Sequence, residues 1–73
     1  MQQYIGKTFN IVLTSGRYYT GTITEIIFIG KNIEGGEIWL FTIIDKFGLY
    51  NSFPNYEIKK MEEYNPKKKK GEK

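Results

Sequence analysis

Between Lys7 and Thr14, apolar and polar residues alternate. Phe9, Ile11 and Leu13 fall on one face of an extended chain, and Thr8, Asn10 and Thr14 on the other. A period of two over such a run predicts a strand with one buried face. Ser15 and Gly16 follow, and a second β-rich run extends from Arg17 to Ile29. This pattern predicts a hairpin with a two-residue turn in which Gly16 supplies the positive φ. The second run carries Gly21 in its interior. Glycine weakens a strand unless the strand bends sharply or another backbone comes close. Gly21 is therefore expected to mark the bend at which a small sheet curls over.

Gly30 to Glu37 is polar and glycine-rich, and predicts a connection. Ile38 to Ile44 is an unbroken apolar run of strand length. A run without alternation suggests cover on both faces, which in a lone small sheet implies a partner surface. Asp45 to Gly48 has the residues of a turn. Leu49 to Phe53 predicts a short strand stopped by Pro54, and Tyr56 to Met61 a last strand closed by Glu62, Glu63 and Tyr64. Pro66 ends the predicted fold, and the lysine run beyond it is expected to be disordered. Residues 1–65 thus make one β domain and residues 66–73 a basic tail. There is no helical pattern beyond a single turn near either end, and no internal repeat. The expected class is all-β: a small, five-stranded, strongly bent antiparallel barrel.

Composition narrows how so small a chain holds together. Seventy-three residues suffice for one domain, and 40% hydrophobic residues supply a small core. Below about 70–80 residues a staple is usually needed, whether a disulfide, a metal or oligomerisation. The chain has no Cys and no His, which excludes disulfides and the common zinc sites. Sheet closure, or pairing of strand edges between copies in a homo-oligomer, remains. No metal or cofactor is expected. No apolar run has the length of a membrane span, and Met1 to Tyr4 lacks the features of a signal peptide, so the expectation is a cytoplasmic protein without a membrane role. The net charge of +3 divides unevenly. Residues 1–66 hold six Lys or Arg against seven Asp or Glu, a balance of −1, whereas residues 67–73 hold five Lys and one Glu.

Catalysis finds little support, and the chain is not expected to be an enzyme. It lacks His and Cys, and its carboxylates fall in turns or on strand surfaces, Glu25 included. The aromatic residues offer a different chemistry. Tyr18, Phe28, Trp39, Tyr50, Phe53 and Tyr56 contain the ring types on which single-stranded nucleic acids stack bases. A small barrel also needs such rings in its core or at an interface, which is the commoner fate of aromatics. Tyr19 shares strand parity with Gly21 and Ile23 and reads as core or interface. Tyr18, on the other face, is the best exposed candidate.

One stretch resembles a known family. Gly6-Lys7, the alternating run to Leu13, and then Gly16-Arg17-Tyr18-Tyr19-Thr20-Gly21-Thr22-Ile23 resemble the first sequence motif of the Sm/Lsm-like proteins. The resemblance implies an SH3-like small barrel, assembly into a ring through strand edges, and RNA binding. Leu49 to Phe53 and Tyr56 to Met61 would be those edges. In the family, an acidic residue and an Asn in the loop after the second strand contact bases, and an apolar-Arg-Gly motif in the last hairpin supplies an Arg. Here the acidic position falls on Ile27 and the Asn position on Lys31, with Asn32 one step later. Phe53-Pro54-Asn55 stands at the second motif. The binding pocket is therefore expected to be atypical, built from Tyr18, Lys31, Asn32 and Asn55, with Lys67, Lys68, Lys69 and Lys70 neutralising phosphates. Gly16, Arg17 and Gly21 are expected to be structural. The plainer alternatives are that Asn32 and Asn55 merely form turns, that Arg17 is solvated, and that the lysines serve solubility. The expected function is nucleic-acid binding, with RNA ahead of DNA. The alternative is an SH3-like protein-interaction or scaffold module with no nucleic-acid role. A chromatin-type DNA binder is disfavoured because the near-neutral domain lacks a basic face.

Overall fold

A computed structural model describes residues 2–64. Five strands, β1 (Thr8–Leu13), β2 (Tyr18–Lys31), β3 (Glu37–Ile44), β4 (Tyr50–Pro54) and β5 (Ile58–Glu63), form one antiparallel sheet in the order β4-β3-β2-β1-β5. Single 3-10 turns occupy Gln2–Tyr4 and Asn55–Glu57, and there is no α-helix among the described residues. None of the described residues forms a helix long and apolar enough to cross a membrane. The sheet's edges are β4 and β5.

The long β2 is shared between neighbours. Its first part pairs with β1, from Val12↔Tyr18 to Thr8↔Thr22. Its remainder pairs with β3, from Thr22↔Ile44 to Lys31↔Glu37. The β2–β3 register shifts between Ile23 and Glu25 and again between Phe28 and Gly30. An extra residue in one strand bends it and breaks the alternation of faces. The first shift decides the core. Continued alternation from Ile23 would turn Glu25 and Ile27 inward, but the irregularity buries Ile26 and leaves Glu25 and Ile27 exposed.

Phe9, Ile11 and Leu13 of β1 meet Ile23, Ile26, Phe41, Ile43 and Phe53 in a single buried cluster. Ile11, Ile23 and Ile43 are completely enclosed. Tyr4 sets its ring edge against Phe9, with centroids 5.5 Å apart. Phe53 of β4 stacks on Tyr19 of β2 at 5.6 Å although β3 lies between these strands, so the sheet curves over its core. Gly21 sits at the tightest approach. A Cβ built there would lie 2.7 Å from the backbone oxygen of Ile44 on β3.

The three hairpins share one loop design. Leu13 and Arg17, Asn32 and Gly36, and Asp45 and Leu49 each close a three-residue loop by an N–H to carbonyl bond of 2.9 Å. The third loop residue is Gly16, Gly35 or Gly48, with φ of 96°, 90° and 85°. Glycine adopts this left-handed conformation without steric cost. The first hairpin therefore differs from its expected two-residue turn. Pairing closes at Leu13 and Arg17, which places Thr14 in the loop with Ser15 and Gly16. A three-residue loop with glycine at the left-handed position is the next commonest hairpin connection.

Other boundaries also move. β2 runs to Lys31 rather than Ile29, because Gly30 and Lys31 still pair with Ile38 and Glu37. β4 is displaced by one residue and ends in Pro54, which a sheet edge tolerates. The last strand begins at Ile58, not Tyr56, because Asn55–Glu57 form a 3-10 turn after the extended Pro54. The expected double cover of Ile38 to Ile44 is not present in the chain alone. Phe41 and Ile43 are buried, while Ile38, Trp39, Leu40 and Ile44 are only partly covered.

Candidate functional site

The polar face of β1 and of the first part of β2 lines an open groove of about 750 Å³, bordered by the β3–β4 loop and by Tyr64. Its floor follows from the alternation that builds the core. With Phe9 and Ile11 turned inward, Thr8 and Asn10 point outward beside Tyr18, Thr20 and Thr22. These side chains bond across the strands. The Thr8 and Thr22 hydroxyls are 2.9 Å apart. Thr20 donates to Asn10 Oδ1 at 2.7 Å, and the Tyr18 hydroxyl donates to the same oxygen at 3.3 Å. Two donors on one carbonyl oxygen orient the Asn10 amide.

Aromatic rings and one cation complete the rim. Tyr18, Phe47 and Tyr64 are exposed, Phe47 to 76%. Lys46 Nζ lies 5.4 Å from the Phe47 ring centre, within cation–π range. The loop that presents Lys46 and Phe47 is rigidly tied. Asp45 Oδ1 accepts the N–H groups of Phe47 and Leu49, each at 2.9 Å. This groove combines planar apolar faces, fixed polar groups and the charge of Lys46 beside that of Asp45. Such a set suits a ligand with flat rings and oxygen atoms.

Of the described residues expected to contact nucleic acid, Tyr18 alone lines this groove; Tyr19 and Gly21 line it as well, as neighbours on the same strand. Lys31 is exposed as the last residue of β2, and Asn32 opens the following loop. Asn32 Oδ1 accepts N–H bonds from Glu34 and Gly36 at 2.9 and 2.8 Å, the same service that Asp45 gives its own loop. Asn55 lies elsewhere. Its Oδ1 accepts the Trp39 N–H at 2.9 Å, and its Nδ2 donates to the Glu37 carbonyl at 3.2 Å. Asn55 thus supplies the backbone of β3 with the bonds a further strand would make. A ligand contact through either carbonyl would compete with these bonds. Arg17 is exposed, with Nη1 3.4 Å from the Tyr19 hydroxyl. Lys67, Lys68, Lys69 and Lys70 lie outside the described residues.

Sequence reading passed over Asn10, Lys46, Phe47 and Tyr64. The signal available was Phe47, a large ring placed in a turn where no core could receive it. Nothing local showed that this turn folds beside Tyr18. Among the described residues no group of acidic side chains is arranged to hold a metal ion.

A second surface lies beyond the groove. Past Ile23, β2 runs on beside β3 without β1, with Ile27, Phe28 and Ile29 exposed, and from the Phe28↔Trp39 pair onward the two strands continue as a two-stranded ribbon with Ile33 at its tip. Phe28 sets its ring against Trp39 at 5.3 Å. Comparison with protein-family models, curated proteins and solved structures returns no match for this chain.

Proposed function

We propose that this protein binds single-stranded nucleic acid, RNA ahead of DNA, as an SH3-like or Sm-like small barrel that assembles through strand edges. The observation that carries this reading is the groove, in which exposed Tyr18, Phe47 and Tyr64 and the cation of Lys46 surround an oriented polar floor. Stacking on such rings contributes about 1–3 kcal/mol per base and tolerates any base. The described part carries almost no net charge, so long-range attraction of phosphate falls to Lys67–Lys70 and Lys73. The barrel assignment is supported by the curved single sheet, the bent β2 and the Sm-like run from Gly6 to Ile23. The pocket differs from the family pattern, since Asn32 and Asn55 hold backbone groups of their own chain.

Fluorescence anisotropy with labelled single-stranded RNA and DNA tests the reading. Tyr18→Ala and Phe47→Ala should each weaken binding while leaving the melting temperature nearly unchanged, because both rings are exposed. Absence of binding by the full chain at low salt would overturn it. The near-neutral charge of residues 1–66 favours one competing reading, an SH3-like interaction module whose groove receives a peptide.

A further inference from the structure

Among the described residues the sheet has three open backbone edges, and they differ in chemistry. The β5 edge carries Lys59, Lys60, Glu62 and Glu63, all exposed, with Lys60 paired to Glu62 at 3.7 Å. The β4 edge is five residues long and ends in proline. Charges, short length and proline are the devices by which sheets discourage pairing with another chain. The third edge belongs to β2 beyond its pairing with β1. β1 pairs with β2 only as far as Thr22, and backbone bonds from Gly6 and Lys7 reach Ile23. From Thr24 to Lys31 the side of β2 turned away from β3 has no ladder partner among the described residues. The opposite side of the ribbon is protected, because Asn55 occupies the Trp39 N–H and the Glu37 carbonyl.

The open edge is also the apolar one. Ile26, Ile27, Phe28, Ile29 and Gly30 carry no charge, and Ile27, Phe28 and Ile29 are 41%, 46% and 55% exposed. Opposite charges bracket them, Glu25 at one end and Lys31 at the other. An antiparallel, two-fold pairing of this segment with itself brings Glu25 of each copy towards Lys31 of the other. A parallel pairing would set like charges together. The irregularity between Phe28 and Gly30 makes the approach diagonal rather than directly opposite, a separation that long side chains span.

We infer that the β2 edge from Glu25 to Lys31 is the surface through which two copies of this chain associate. The two-fold pairing joins their sheets into one and covers Ile27, Phe28 and Ile29 at the seam. This inference rests on the edge-assembly part of the proposed function and names the edge; it is independent of nucleic-acid binding.

The test is the solution mass of the full chain by light scattering at micromolar concentration, with circular dichroism to check folding. Wild type should exceed the monomer mass of 8.6 kDa. Ile29→Lys should shift it towards monomer. Lys31→Glu and Glu25→Lys should each weaken association by roughly tenfold, since two attractive pairs become repulsive, and the double variant should recover it. A wild-type monomer overturns both this inference and the assembly reading. A wild-type multimer whose mass is unaffected by all of these changes overturns this inference alone and leaves assembly to β4 and β5. Single reversals that weaken association without rescue in the double variant overturn the two-fold register.

Discussion

Gly21→Ala measures how closely β3 is drawn against β2. The new Cβ would sit 2.7 Å from Ile44 O, 3.1 Å from Ile44 C and 3.3 Å from Ile43 Cδ1. The Ile43 side chain can rotate away, but the Ile44 peptide cannot move freely. Its strand is paired on both sides, to β2 and to β4. Forcing extra atoms into a packed site costs about 1–3 kcal/mol. Replacing glycine at a compatible site would return about 0.4–1 kcal/mol by stiffening the unfolded chain. The clash exceeds this return, leaving a loss of about 1–2 kcal/mol for alanine and more for Gly21→Val. For a domain of this size 1 kcal/mol moves Tm by about 4–8 °C, so Gly21→Ala should melt roughly 4–15 °C below wild type. Gly48 provides the control. Its φ is +85° and nothing lies within 4 Å of a Cβ there, so substitution costs only the left-handed backbone, about 1–2 kcal/mol. Asparagine tolerates that backbone, so Gly48→Asn should recover stability relative to Gly48→Ala, whereas Gly21→Asn should recover none. Thermal melts followed by circular dichroism read all five variants. A Gly21→Ala protein as stable as wild type would refute the close-approach explanation.

Asn55→Ala removes both side-chain bonds to β3 and should cost about 1 kcal/mol by urea denaturation, with faster amide exchange at Trp39. Ile23→Ala opens a cavity among fully enclosed side chains and should cost about 2–5 kcal/mol, enough to leave so small a domain partly unfolded at room temperature. Truncation after Asn65 removes Lys67–Lys70 and Lys73. If four of these lysines each neutralise one phosphate, the log–log salt slope of RNA binding should be near −3, and truncation should flatten it while a weaker, less salt-sensitive affinity persists in the groove. An unchanged slope would place the phosphate contacts on the folded domain.

Much of the strand pattern was legible because it is local. Alternation from Thr8 to Leu13 needs no knowledge of neighbours to announce one buried face. The three glycines at the loop positions and the proline after Phe53 mark where strands must stop. Gly21 announced that something comes close; its sequence position alone could not say that the object is the Ile44 carbonyl. Asn32 and Asp45 are residues that cap tight loops, and both do so.

What the sequence alone determined was an all-β chain with strands near these positions and an inward face on β1. It determined as well that neither a disulfide nor a histidine or cysteine metal site supports the fold. Tertiary structure decided the rest, because each remaining feature depends on pairs distant in the chain. The inward phase of β2 changes at Thr24 through its register with β3, so Ile26 is buried and Ile27 exposed. Asn55 works on β3 because a 3-10 turn carries it there. The groove exists because the Asp45–Leu49 loop folds over the polar side of a hairpin formed far earlier in the chain. The open β2 edge, finally, follows from a difference in length. β2 runs on past the start of β1, and backbone groups beyond that point have no strand among the described residues to meet them.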